Sequence, residues 1–346
     1  MTIKFKANNI YITVINNFQP ENNLQNIPDR KIDEQDDQPM GPRQIDQDEP
    51  IRKRGEPWQE KKARSSQLVR FFHEIGLNKK GNRVHWCGTE LGFDEAGKLV
   101  MANFCRERLC IMCSWRKSVK TYWELSNVLD AVQDSEPNLD TIFLTLTVRN
   151  CPGEELREIL GQMFKGWAKL TEHRRFKDNI KGWFRALEVT YNKDEDTYHP
   201  HFHALLMVDK SYFKQENKNY LHTVDWVHIW RVSCGLDYDP VCYVRGVKTT
   251  KGRGRKHVAE LAKYTVKDTD ILQKVDAQTV KILTVLTWSL KGRQLFAYGG
   301  NLRKTKKLLG KIKDPDQKST IREDIADAMT IYKWDFGLQD YFRRDR

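Results

Sequence analysis

The sequence predicts an α+β fold, an antiparallel sheet carrying helices, on three observations. In residues 142–149, Ile142, Leu144, Leu146 and Val148 alternate with Phe143, Thr145, Thr147 and Arg149, the period of two of a half-buried strand. Two more strand-like runs, 183–192 and 199–208, flank the polar loop KDEDTY, which is a hairpin pattern. Residues 154–172 and 257–268 instead repeat apolar side chains at intervals of three and four, as helices do. Strand, helix, hairpin and further helices in that order suit a sheet with helices on one face.

Ahead of these elements, residues 19–50 are rich in Gln, Asn, Asp, Glu and Pro with few apolar anchors, so the acidic N-terminal segment is expected to be disordered. The charge then swings positive in IRKRGEPWQEKKARSSQLVR, which reads as a basic helix or as a solvated charged surface. Asn150, Pro152 and Gly153 end the first strand, and the helix after it places Leu156, Ile159, Leu160, Met163, Phe164, Trp167 and Leu170 on one side. After the hairpin, residues 224–232 read as a helix with Trp226, Val227 and Trp230 inward. The basic loop KTTKGRGRK follows, and then a helix with Val258, Leu261, Ala262 and Thr265 on its apolar side.

The net charge is +12, yet residues 21–50 hold nine acids against three bases, so the basic excess lies in the remainder of the chain. A polyanion is the partner this favours, because neutralised phosphates release their counterions. No run of eighteen apolar residues exists, and the N-terminus lacks the order of a secretory signal, so a cytoplasmic protein without membrane contact is expected. No GxxxxGK[ST] segment is present to bind ATP.

The hairpin carries a metal-ligand pattern. Residues two apart on a strand share a face, so His201 and His203 point the same way, about 7 Å apart along the chain. Pairing Glu188 with either of them centres the turn near 194–196, inside the polar loop, and cross-strand neighbours share a face. Two imidazoles and a carboxylate then converge, with positions left open for a substrate oxygen. This donor set fits Mg²⁺ or Mn²⁺ as a Lewis acid, with Zn²⁺ as the other candidate. His199 has the same parity and is a candidate fourth contact.

The helix at 257–268 carries a second pattern. Glu260 and Tyr264 stand four apart and Tyr264 and Lys267 three apart, so all three share one side. A phenol near its free pKa of about 10 is a poor nucleophile unless a cation or a metal-bound phosphate assists it. Attack on a DNA phosphodiester would then leave a phosphotyrosine and a free 3′-hydroxyl. Glu260 is placed to activate water for a second cleavage, and Lys267 to steady a phosphate.

Together, FLTLTVRN at 143–150, HPHFH at 199–203 and ELAKYTVK at 260–267 resemble the three motifs of plasmid rolling-circle replication initiators, members of the HUH endonuclease superfamily. The likeness is strongest to the single-tyrosine subgroup of small Gram-positive plasmids. It implies a central five-stranded antiparallel sheet, a divalent metal at His201 and His203, covalent catalysis by Tyr264, and hydrolysis at termination directed by Glu260. Glu188 as third ligand rests on hairpin geometry together with the resemblance.

Of seven cysteines, Cys87, Cys105, Cys110 and Cys113 form C-x17-C-x4-C-x2-C, the donor set of a closed structural zinc site. Arg106, Arg108, Arg116, Lys117 and Lys120 surround it and are assigned to duplex DNA, as are Arg253, Arg255 and Lys256 of the basic loop. Cys151, Cys234 and Cys242 have no evident partner. Trp288, Phe296 and Tyr298 interleave with Arg293, Arg303, Lys304, Lys306 and Lys307, and read either as a surface for single-stranded DNA or as a core element with a basic face.

The expected organisation is therefore an acidic disordered segment (1–50), a basic, cysteine-rich DNA-binding and zinc element (51–135), an HUH nickase domain (136–275), and an extension packed on that domain or on DNA (276–346). Expected partners are plasmid double-strand origin DNA, single-stranded DNA, and a host helicase with the replication machinery; a homodimer is a further option. An HUH relaxase or transposase, or a non-catalytic zinc-containing DNA-binding repressor, is the alternative.

Overall fold

The computed structural model describes residues 3–7, 10–14, 58–247, 255–262, 276–310 and 329–344, apart from 96, 98, 215, 216 and 218. Strands β1 (Ile3–Ala7) and β2 (Ile10–Val14) pair as a short antiparallel ribbon ahead of residues 19–50, whose expected disorder falls outside the described residues. Helices α1 (Trp58–Glu74) and α2 (Asn78–His85) lead to β3 (Glu90–Phe93), β4 (Leu99–Ala102) and the long α3 (Ile111–Ser135). From Trp58 onward the basic segment is thus a helix, and two of its lysines are withdrawn from solvent. Lys61 and Lys62 are buried in α1 beside Trp58, Leu68, Phe71 and Phe72, and the Lys61 ammonium lies 4.1 Å from the Trp115 ring centre.

The central region follows the predicted order. Strand β5 (Leu139–Thr147) is followed by α4 (Leu156–Glu172), α5 (Arg174–Asn179) and the hairpin of β6 (Ile180–Asn192) and β7 (Thr197–Asp209). Then come α6 (Thr223–Cys234), β8 (Cys242–Val247), α7 (Arg255–Ala262), α8 (Ala277–Ser289), β9 (Phe296–Gly299) and α9 (Gly300–Leu309). The five strands form one antiparallel sheet in the order β8-β5-β7-β6-β9, as the fold class predicts.

Alternation gives the sheet two buried faces. One presents Leu144, Leu146, Leu187, Val189, Phe202 and Leu206 to α4, α6 and α8, and Phe202 meets Phe164, Trp167 and Trp230 with ring centres 5.4, 5.8 and 6.1 Å away. Gly166 lets α4 and α6 approach closely, since a Cβ there would stand 2.3 Å from the Cys234 sulfur. The opposite face carries Phe143, Phe184, Ala186, Leu205 and Met207, covered by Leu125 and Val128 of α3, Val258 and Leu261 of α7, and Leu302 of α9.

The last strands depart from the expected organisation. The sheet's fifth strand, β9, lies beyond residue 275. Strands β10 (Thr330–Asp335) and β11 (Asp340–Arg344) then return to the cysteine-rich element, where β10 pairs with β3 in a sheet of order β11-β10-β3-β4. The tail, FGLQDYFRRDR, carries no strong periodicity, yet Tyr341 within it is fully buried and its hydroxyl donates to the Gly88 carbonyl.

Candidate metal centre

The hairpin register places Glu188 directly opposite His201, with Asn192 opposite Thr197 closing the polar turn. On the other side of β7, Thr147 faces His201 and Thr145 faces His203. All these side chains project from the same sheet face as Phe143 and Leu205, and Glu188, His201 and Thr147 are buried there.

The donor atoms of Glu188, His201 and His203 lie within 4.8 Å of one another. Nε2 of His201 stands 3.1 Å from Nε2 of His203, and Glu188 Oε2 is 3.4 Å and 3.1 Å from these two nitrogens. Two donors bound at right angles about 2.1 Å from one ion would sit about 3 Å apart, so the spacing fits a shared cation. Burial pushes the Glu188 carboxyl up, but hydrogen bonds and charge from His201 and His203 outweigh it and hold the group well below the usual carboxylate range. The carboxylate is therefore ionised and ready to bind a cation.

The outer ring nitrogens are also engaged. His201 Nδ1 donates to the His199 carbonyl at 3.2 Å, and His203 Nδ1 stands 3.0 Å from Thr145 Oγ1. These contacts hold both rings with Nε2 turned toward Glu188, the atoms that would bind a cation in place of a proton. From the sequence Thr145 reads only as a sheet residue, since no local period shows which histidine it faces. The His199 ring lies tilted by 30°, its centre 5.1 Å from that of His201, and is not one of the three converging donors. Burial, then the neighbouring His201 charge, lowers its pKa.

Helix α7 leads toward the predicted nucleophile. Val258, Ala259, Leu261 and Ala262 are buried against the face that bears the three ligands, and the Ser118 hydroxyl donates to the Ala262 carbonyl. The Phe143 ring joins site and helix, 5.5 Å from the His203 ring and 5.7 Å from that of His257. Glu260 is half-buried on α7; Tyr264 and Lys267 lie outside the described residues, as does Arg253, and Arg255 and Lys256 belong to α7 without described side chains.

The four predicted cysteines also converge within 4.8 Å, with Sγ–Sγ separations of 3.4 Å (Cys87 and Cys113) and 3.5 Å (Cys105 and Cys113, Cys110 and Cys87). Four ligands about 2.3 Å from one zinc would stand about 3.8 Å apart, so the donor set and spacing fit that ion. Backbone N–H groups of Cys105, Arg106 and Glu107 point at the sulfurs of Cys87, Cys113 and Cys105. Burial lowers the Lys62 pKa against the opposing pull of the four cysteines, and its Nζ donates to the His85 carbonyl at 2.7 Å. Cys151, Cys234 and Cys242 are buried elsewhere, each thiol pushed up to about 12 by burial.

The cations around the cluster separate. Arg106 and Arg108 border a cleft with Lys80 and Lys291, Arg108 donates to the Leu290 carbonyl, and Lys117 sits 5.3 Å over the Phe296 ring. Phe296 and Tyr298 are half-buried and pack on Phe184, while Lys306 lies 4.3 Å over Tyr298, so these aromatics serve the core. No helix among the described residues is long and apolar enough to cross a membrane.

Known proteins share most of this chain. It is 33% identical over 303 residues to a "Protein rep" of Lactiplantibacillus plantarum, covering 83% of this chain and 95% of that one. A "Protein rep" of Bacillus amyloliquefaciens is 35% identical over 321 residues, covering 82% and 93%, and one of Streptococcus pneumoniae is 33% identical over 300 residues, covering 84% and 92%. No solved structure matches. The profile described as "Replication protein" matches residues 96–342, both metal-ligand groups except Cys87 included. The chain thus belongs to the Replication protein family, which bears out the likeness to plasmid replication initiators drawn from its three motifs.

Proposed function

We propose that this replication protein nicks one strand of its plasmid's double-strand origin and remains joined to the 5′ phosphate through Tyr264. One observation carries the reading: Glu188, His201 and His203 converge on the sheet face against which α7, the helix leading to Tyr264, is packed. A divalent cation such as Mg²⁺ or Mn²⁺ held by these three donors supplies Lewis-acid polarisation of the scissile phosphate.

The phenol oxygen of Tyr264 attacks phosphorus, and the bond from phosphorus to the 3′ oxygen breaks. The phenolic proton ends on that 3′ oxygen, which becomes the primer for a host polymerase. Because one phosphoester replaces another, the strand can later be rejoined. Lys267 steadies the phosphate, and Glu260, one turn before Tyr264 in the sequence, takes the proton of water when termination requires hydrolysis. The Cys87, Cys105, Cys110 and Cys113 group holds a structural zinc ion and, with Arg106, Arg108 and Arg116, docks on duplex DNA. Unwinding falls to a host helicase.

The test is incubation of the full chain with an end-labelled origin strand and Mn²⁺. A labelled covalent adduct is expected, lost in Tyr264→Phe while DNA binding persists. A strand left uncut by the wild-type chain would favour a DNA-binding repressor instead, and cleavage by Tyr264→Phe would move the nucleophile elsewhere.

A further inference from the structure

Across the sheet, one row of directly opposed residues runs Tyr243, Thr145, His203, Ala186, Phe296. Opposed residues share a face, so Tyr243 stands on the same side as the metal-ligand group, at the edge strand β8. Two interstrand steps separate it from His203, about 10 Å. Ala186 and Phe296, at the far end of the row, are packed against helices. Tyr243 is 67% exposed, so its ring lies open beside the candidate site.

Cations flank this ring. Arg245, exposed and opposite Phe143 in the adjoining row, lies 5.1 Å over the Phe143 ring and donates to His257 Nδ1 at 3.1 Å. Just beyond the other end of β5, the exposed Arg149 guanidinium stacks 3.7 Å from the Tyr238 ring, and its backbone N–H donates to the Tyr238 hydroxyl at 2.8 Å. An open aromatic face between two cations suits single-stranded DNA, which offers bases to stack and phosphates to neutralise. A duplex hides its base faces and gains nothing from the ring.

We propose that Tyr243 is a base-stacking platform for single-stranded DNA: the base next to the scissile phosphate lies on its ring, and Arg245 and Arg149 meet the phosphates on either side. This rests on reading the neighbouring cluster as a strand-cleaving site. Tyr243 sets the register of the strand, so that the phosphate presented to Glu188, His201 and His203 is fixed by a stacked neighbour.

The full chain and its Tyr243→Ala and Tyr243→Phe variants are titrated against a fluorescein-labelled oligo(dT) strand and against a duplex of equal length, followed by anisotropy. Circular dichroism checks that this exposed site leaves the fold intact. Tyr243→Ala is expected to weaken single-strand binding by roughly tenfold or more and leave duplex binding unchanged, while Tyr243→Phe binds as the wild type does. Equal single-strand affinity of Tyr243→Ala and wild type overturns the platform, while adduct formation by both leaves the strand-cleaving reading standing. Equal losses in Tyr243→Ala and Tyr243→Phe overturn stacking in favour of a hydroxyl contact. A change in sedimentation without a change in DNA affinity makes β8 an interface between copies and likewise overturns the platform. A wild-type chain that neither binds a single strand nor forms an adduct overturns both.

Discussion

Thr145 Oγ1 lies 3.0 Å from Nδ1 of His203, across the pairing of β5 with β7. The contact fixes the ring so that Nε2 faces Glu188, and it links the first sequence motif to the second. Partners of this kind commonly change metal affinity by about 10- to 100-fold when removed. Thr145→Val keeps the shape and β-propensity of the residue but not the hydrogen bond. Its Mn²⁺ affinity, measured by calorimetry, is expected to fall within that range, and Thr145→Ser to restore most of it. Unchanged affinity in Thr145→Val would remove the threonine from the site.

The cysteine group should behave as a closed structural centre. Cys110 is fully buried, its sulfur 3.5 Å from that of Cys87 and 3.2 Å from the Ser65 hydroxyl oxygen. Elemental analysis is expected to find one tightly held zinc per chain, lost in Cys110→Ser together with a marked fall in melting temperature. A metal-free wild-type chain with the same melting temperature as Cys110→Ser would leave the group as ordinary core.

Arg185 tests what the core tolerates. It is 2% exposed, between the Phe164 and Phe202 rings at 4.6 and 4.5 Å, and its Nη2 donates to the Gln294 carbonyl at 3.0 Å. Its Nε and Nη1 have no hydrogen-bond partner among the described residues, and burial lowers its pKa to about 10. A buried cation without a carboxylate is costly, whereas a cavity in its place costs about 2–5 kcal/mol. Arg185→Met is expected to match or exceed wild-type stability in urea unfolding, and Arg185→Ala to lose about 3 kcal/mol. A comparable loss in Arg185→Met would make the aromatic stacking of the guanidinium a net stabiliser.

Asp225 should give stability a pH dependence. The Arg175 guanidinium grips both its carboxylate oxygens, at 2.6 and 3.2 Å, and the His222 backbone N–H donates to it at 2.9 Å. The Arg175 hydrogen bond, more than the backbone one, holds the carboxyl below its ordinary 3.8. Its stabilisation is therefore full above that pH and fades as pH falls through the lower folded value. Both partners are partly exposed, so Asp225→Asn is expected to cost only about 1 kcal/mol at pH 7. The difference from wild type should shrink below about pH 4; a constant difference would exclude the ion pair as its source.

Local patterns carried much of this protein. The alternation at 142–149, the helical spacing at 154–172 and the polar turn between the hairpin strands specify elements that need only their own neighbours in sequence. Because side chains on a strand repeat every two residues and a hairpin register follows from its turn, Glu188, His201 and His203 were legible as one ligand set, as the cysteine spacing was for Cys87, Cys105, Cys110 and Cys113.

Only the tertiary structure decided which non-adjacent strands pair. That pairing gave His203 its partner Thr145, set Tyr243 in line with both, drew β9 into the central sheet and returned β10 and β11 to the cysteine-rich element. It also buried Lys61 and Lys62, which composition alone leaves at a solvated surface or in a basic helix. The physical reason is common to all of these: a cross-strand contact or a desolvated charge depends on what packs against it from far along the chain, and no local period records that neighbour.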